Sequence, residues 1–277
     1  KRNIYERSQE TMSKQEEQKK EAKRELTEGN WLPLESNPVV LTKFAKRVGL
    51  PKGWEFCDIY GTDKELLGMV PQPCAAVVLL FTSSKELKTF KAEQRKEIEE
   101  KGQELSKKLF YVTQHDGIGN ACGTIATLHA MTNSLDQFEP EGIVKKFMDE
   151  WKDKSPGDIG YGLLKAKDIQ EVSEDAAESK EAQTATPDRM DNVAAHFIAF
   201  VHVDGVLYEM DGRKAFPINH GKSSSKTFLE DAAAVIKKNF FEVSKNGEII
   251  SIYHHQKQQQ QQQQPKKQYY PYPSIVL

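Results

Sequence analysis

The sequence predicts an α+β fold, and three observations carry that reading. Residues 74–81 (CAAVVLLF) are an apolar run of strand length, far short of the roughly 20 residues a membrane span needs. Val39, Leu41, Phe44, Ala45 and Val48 recur at helical spacing. Strands and helices then follow one another without the regular alternation of a parallel α/β sheet.

Asn37 suits an N-cap and Pro38 the first helical position, so a helix starts there and Gly49 closes it. Residues 54–60 read as a short strand, and 63–69 as a helical turn ahead of Pro71 and Pro73. The buried strand 74–81 leads to a charged helix over 85–103 and another strand over 109–113. Helices follow at 120–133 and 142–151. Residues 153–192 are polar and rich in Gly, Ser, Ala and Glu; so long a span inside a domain reads as a functional or disordered loop. Asp204-Gly205 between apolar runs signals a hairpin over 196–211. A helix at 227–240 and a closing strand at 247–253 complete the domain, with no internal repeat.

Composition divides the chain into three parts. Residues 1–29 form a charged extension with little apolar periodicity, at most a solvated helix over 13–28. Residues 257–277 hold seven consecutive glutamines and a Tyr/Pro end, a low-complexity tail that reads as disordered. Residues 30–256 are the domain proper. The extension carries 8 basic and 7 acidic residues and the tail three lysines, which leaves 28 basic and 34 acidic residues in the domain, net -6. Nucleic acid requires a basic face and is disfavoured as a partner; a partner with a basic contact surface is favoured. Three dispersed cysteines, Cys57, Cys74 and Cys122, fit neither a disulfide framework nor a Cys-rich zinc site. With a charged rather than apolar N-terminal segment, they point to a reducing, cytoplasmic setting and a protein off the membrane.

Cys122 is the most informative of the three. It lies in Gly-Ile-Gly-Asn-Ala-Cys-Gly-Thr, where a glycine-rich loop becomes a helix. Unpaired N–H groups and the positive end of the helix dipole lower a thiol pKa there, and the same N–H groups can receive an oxyanion. The bland alternative is a packed core cysteine. A thiolate nucleophile also needs a histidine and an orienting acid. With Asp204-Gly205 as the hairpin loop, Val203 pairs with Val206 and Ile198 with Asp211, so His196 and Asp211 become diagonal cross-strand neighbours about 7 Å apart at Cα. His202 and Glu209 are diagonal on the same face, and the pattern alone leaves both pairs open. His129 falls inside the helix after Cys122, and His115, His220, His254 and His255 lie in loops or near the tail. None has HxxxH or CxxC spacing, which argues against a metal site.

Several motifs, in order, resemble one family. They are Trp31-Leu32-Pro33-Leu34-Glu35-Ser36-Asn37-Pro38, Met69-Val70-Pro71, Asn120-Ala121-Cys122-Gly123-Thr124, Tyr208-Glu209-Met210-Asp211-Gly212-Arg213 and Phe216-Pro217-Ile218-Asn219-His220-Gly221, with His196 opening a strand after a long polar stretch. Together they resemble the ubiquitin carboxyl-terminal hydrolases, papain-like thiol hydrolases of peptidase family C12, in their compact single-domain type. The resemblance covers about 30–253. It implies an α-β-α architecture with a central antiparallel sheet and a knotted backbone, an arrangement that is rare. It further implies a monomer without cofactor or metal that acts on the C-terminal glycine of ubiquitin, or of a ubiquitin-like modifier.

The resemblance assigns Cys122 as nucleophile, His196 as general base and acid, and Asp211 as orienter, and so selects His196 over His202. The family's oxyanion glutamine stands six residues before the nucleophile, where this chain has Asp116. Aligned from the preceding residues 110–113, the glutamine is Gln114, with His115-Asp116 as an insertion. A carboxylate at that place would repel the oxyanion, where losing one donor already costs roughly 3 kcal/mol, so Gln114 is preferred and Asp116 is the alternative. Residues 153–172 correspond to the family's crossover loop over the cleft, which would favour small or unfolded leaving groups. Ubiquitin's basic tail matches the net -6 domain.

Overall fold

The computed structural model describes residues 30–191 and 193–244, and the backbone of 249–257. The helix expected within 1–29 and the tail beyond 257 lie outside the described residues.

The first helix, α1 (Pro38–Val48), starts where the sequence places it. The Asn37 side chain accepts a hydrogen bond from the Val39 N–H, and Gly49 ends the helix at φ 129°. β1 (Trp54–Asp58) and the short α2 (Lys64–Leu67) follow. β2 (Cys74–Thr82) leads to α3 (Lys85–Lys101), capped by Ser84. Next come α4 (Cys122–Thr132), α5 (Gly142–Trp151), α6 (Pro156–Lys165) and α7 (Lys167–Ala177). The hairpin of β3 (Ala195–Val203) and β4 (Val206–Met210) pairs Val203 with Val206 as expected. β5 (Ile218–Lys222), α8 (Phe228–Ile236) with a π-helical extension (Lys237–Phe241), and β6 (Ile249–Lys257) close the domain.

The strands form one antiparallel sheet in the order β1-β6-β2-β3-β4-β5. β2 explains the architecture. Its Ala76, Val78 and Leu80 join a core with Phe197, Ala199 and Val201 of β3 and with helices α1 and α4 to α7. Its Val77, Leu79 and Phe81 join a second core with Ile198, Phe200, Leu87 and helix α8. Side chains alternate across a strand, so a strand covered on both faces needs an apolar residue at every position, which accounts for the unbroken run. Each fully buried Leu or Phe there contributes about 1.5–3 kcal/mol. The result is the expected α-β-α layering.

Two expected elements differ. Residues 109–113 form no strand of the sheet. They lie extended along α4, whose side chains replace a neighbouring strand. Asn133 Oδ1 accepts from the Phe110 N–H at 2.9 Å, Asn133 Nδ2 donates to the Phe110 carbonyl at 2.9 Å, and His129 Nε2 accepts from the Val112 N–H at 2.8 Å. Residues four apart on a helix thus serve residues two apart on an extended chain.

The second correction concerns the crossover loop expected at 153–172, and the longer loop at 153–192 that contains it. Most of that span is helical, as α6 and α7. Ser155 caps α6 with Pro156 following, while Ile159 and Leu163, then Ile169, Val172 and Ala176, are buried at helical spacing. The glycines that suggested a loop serve close packing: a Cβ at Gly160 would lie 1.9 Å from the Thr113 carbonyl oxygen, and one at Gly162 would lie 2.4 Å from the Trp151 ring. The irregular connection between α7 and β3 is described over residues 178–191 and 193–194.

Candidate active site

All eleven residues of α4 are buried, as befits a helix packed on every side. Its hydroxyls are satisfied locally: Thr127 donates to the Gly123 carbonyl, Thr132 to the Leu128 carbonyl, and Thr124 meets Ser173 at 2.7 Å. Cys122 is its first residue. Gly119, at φ 61°, turns the chain into the helix, and Gly123 lets it approach the sheet, since a Cβ there would meet Phe197 at 3.2 Å. The Cys122 sulfur thus sits at the helix N-terminus against the start of β3.

His196 is the second residue of β3 and Asp211 directly follows β4. His196 Nε2 meets Asp211 Oδ1 at 2.6 Å, and both residues are buried. The Arg213 N–H donates to the same Oδ1 at 3.0 Å, the Tyr111 hydroxyl donates to the Asp211 carbonyl, and Lys91 Nζ lies 3.5 Å from Oδ2. With Nε2 committed to Asp211, Nδ1 is buried without a hydrogen-bond partner.

The electrostatics couple the three groups. Burial pushes the Cys122 thiol up, but hydrogen bonding and charge from His196, the Phe197 backbone and Arg213 outweigh it and hold the thiol below its ordinary value. The thiol and imidazole are therefore within interaction range, although Nδ1 makes no fully aligned hydrogen bond, as is common before a substrate arrives. Burial alone would lower His196, yet Asp211 and then Cys122 raise it above the ordinary imidazole value. Asp211 is likewise penalised by burial and held well below the carboxylate range by His196, Lys91 and Lys214. This arrangement favours a thiolate–imidazolium pair. By contrast, burial pushes both the Cys57 and the Cys74 thiols well above their ordinary value, so neither is activated.

Gln114 reaches the site through backbone and side chain. Its N–H donates to the Gly212 carbonyl at 2.7 Å, next to Asp211, and its Nε2 donates to the Gly119 carbonyl at 2.6 Å, three residues before Cys122. The Gln114 Oε1 is buried and unpaired. Asp116 sits exposed in a short 3-10 turn (Asp116–Ile118) that absorbs the extra residues, with His115 Nδ1 accepting from the Gly117 N–H. His202 is at the far end of the hairpin, 3.6 Å from Asp136, and does not join Glu209. Glu209 instead pairs with Lys214 at 2.7 Å and with His220 at 3.1 Å.

The connection between α7 and β3 borders the Cys122 side of the site as a strap. Its Val193, with Leu34, Leu80, Phe197 and Cys122, lines a cavity of about 60 Å³. Asn120 Nδ2 donates to the Asp191 carbonyl at 3.1 Å. Arg189 anchors the strap by a two-pronged pair with Glu174 and by a hydrogen bond to the Asn30 carbonyl at 2.9 Å. Sequence reasoning missed Lys91, Tyr111 and Arg189. A signal for Lys91 exists: Leu87, Lys91, Gln94 and Ile98 share one helical stripe, the side of α3 turned to the protein.

Among the described residues, no group of three or more His, Cys, Asp or Glu side chains could hold a metal ion, and no helix is long and apolar enough to cross a membrane. The chain is 47% identical to a probable ubiquitin carboxyl-terminal hydrolase of Dictyostelium discoideum over 221 residues, 79% of this chain and 85% of that protein. It is 40% identical to human ubiquitin carboxyl-terminal hydrolase isozyme L1 over 219 residues, 78% and 93% of the two chains. The fold matches the catalytic domain of Trichinella spiralis UCH37, solved bound to ubiquitin vinyl methyl ester, with a TM-score of 0.63 at 21% identity, covering 84% of this chain and 98% of that one. The family model described as ubiquitin carboxyl-terminal hydrolase, family 1, matches residues 31–241, which contain the cysteine, histidine and acid just described; the chain belongs to that family.

Proposed function

We propose that the protein is a thiol-dependent deubiquitinase that hydrolyses amide, ester or thioester bonds at the C-terminal glycine of ubiquitin. The observation that carries this is the buried His196–Asp211 contact of 2.6 Å beside a helix-tip thiol whose pKa is held down. The Cys122 thiolate attacks the glycine carbonyl carbon, and the negative charge that develops on oxygen is met by the Cys122 N–H and the Gln114 amide, with Asp116 left in solvent. As the tetrahedral intermediate collapses, the bond to the leaving group breaks and His196 gives it a proton. Water, deprotonated by His196, then attacks the thioester, releasing the ubiquitin carboxylate and the free thiol. Asp211 keeps the imidazole oriented throughout.

Residues 30–256 form the catalytic unit in this reading, acting as a monomer in the cytoplasm in ubiquitin-dependent protein turnover. The strap between α7 and β3 takes the part first expected of 153–172: it limits leaving groups to small or unfolded ones. The net -6 charge of the unit suits ubiquitin's basic tail. The test is turnover of a fluorogenic ubiquitin C-terminal amide. The wild type is expected to release the fluorophore and Cys122→Ala to lose at least about a thousandfold in rate while keeping its circular dichroism. A wild type without turnover, or an equally active Cys122→Ala, would overturn the reading.

A further inference from the structure

Lys91 is a largely shielded cation that the mechanism above does not use. Its side chain is 16% exposed, and its ammonium lies 3.5 Å from Asp211 Oδ2, the oxygen that does not face His196. The same ammonium stands 4.1 Å from the centroid of the Phe81 ring and 5.0 Å from that of Phe240. Phe81 is the cross-strand partner of His196 and packs edge-on against the imidazole, with centroids 5.7 Å apart at 76°. Both supports of the imidazole, the carboxylate and the phenyl ring, therefore rest on one ammonium.

The surrounding charges make this contact consequential. Asp211 and Glu209 are buried carboxylates at the end of β4. Glu209 has Lys214 and His220 as partners, and Lys214 also reaches Gln94 at 3.4 Å. Tyr111 meets Asp211 only at the backbone carbonyl, and Arg213 approaches its side chain only through a backbone N–H. Asp211 thus has His196 and Lys91 as its close side-chain cations. When His196 releases its proton, Lys91 remains to balance a carboxylate that water cannot reach.

We propose that Lys91 is a positioning residue for His196, acting through Asp211 and Phe81 and tempering the carboxylate's hold on the imidazolium. The reaction it serves is the one proposed above, but the geometry stands apart from that reading. Without Lys91, neutralising His196 would leave Asp211 a buried charge with only Lys214, which is engaged by Glu209, to balance it, so the imidazole would keep its proton to higher pH.

The experiment is a nuclear magnetic resonance titration of His196 in the full chain, labelled at histidine and carrying Cys122→Ala so that the thiol does not couple, with His196→Gln to assign the signal. Adding Lys91→Met is expected to raise the His196 pKa by about half to one unit, against the 1–3 units a directly adjacent charge produces. With Cys122 intact, the alkaline limb of kcat/KM for the ubiquitin amide moves up by the same amount, kcat falls several-fold and KM holds. Lys91→Gln, which keeps a polar head, gives the same upward shift and serves if the Met variant does not fold. An unshifted His196 titration would overturn the proposal whatever the turnover; a wild type without turnover would sink the hydrolase reading and leave the titration standing as the test of Lys91.

Discussion

His129 shows how a titratable residue next to the site can serve the fold alone. It is fully buried in α4, accepts from the Val112 N–H at 2.8 Å and stacks on Tyr111 with centroids 5.1 Å apart at 4°. Burial pushes its pKa down to about 4. The folded value is below the unfolded one, so between them the unfolded chain binds more protons, and stability falls as pH drops from about 6.5 towards 4, by up to about 3 kcal/mol. His129→Phe keeps a ring but leaves the Val112 N–H unpaired. It is expected to lose about 1–3 kcal/mol at neutral pH and to narrow the gap in urea stability between pH 7 and pH 4.5. An unchanged gap would assign the acid sensitivity elsewhere. At this scale Cys122 and the two candidate pairs, His196 with Asp211 and His202 with Glu209, were legible because a helix tip and a two-residue hairpin loop fix where their backbones go, while the choice of His196 over His202 came from the family resemblance. Lys91 was not, because one shielded lysine among the charges of α3 differs from its neighbours only by sharing a stripe with Leu87, and the shielding of a charge is decided by what packs on it.

Among the elements, the strap between α7 and β3 is the one that the proposed function makes the gatekeeper of the cleft. Its Arg189–Glu174 anchor is partly shielded, with side chains 32% and 17% exposed, so it is worth about 1 kcal/mol once screening is allowed for. Arg189→Ala is therefore expected to raise turnover of ubiquitin amide-linked to a folded protein about fivefold relative to the small fluorogenic amide, as the strap leaves its seat more often. A constant ratio of the two rates would separate the anchor from substrate size. The misplacement of this strap in the sequence has a clear origin. Composition over 153–172 resembles a loop, and Gly160 and Gly162 weigh heavily in such a reading, yet both face surfaces that leave no room for a Cβ. Residues 109–113 have strand-like composition, but an extended segment joins a sheet only if a free edge is offered, and here Asn133 and His129 satisfy it first. The strands 74–81 and 196–211 were readable because burial on both faces, and a two-residue turn, leave few alternatives.

At the scale of the whole molecule, the strand order holds information that no local pattern carries. β6 lies between β1 and β2, pairing Trp54 with Lys257 on one side and Leu79 with Ile252 on the other. A chain ending at Ser244 would lose both ladders and expose two unpaired edges. It is expected to show no cooperative urea transition by circular dichroism, and a sharp transition in that truncated chain would mean the remaining layers stand alone. This placement also orders events in the cell. A ribosome releases β6 after every other described strand, so the gap between β1 and β2 is filled only once both of its walls have been made. The same geometry works in reverse under traction: a motor hauling from the C-terminal side would reach β6 before any other described strand, and β1 and β2 would lose their shared neighbour together.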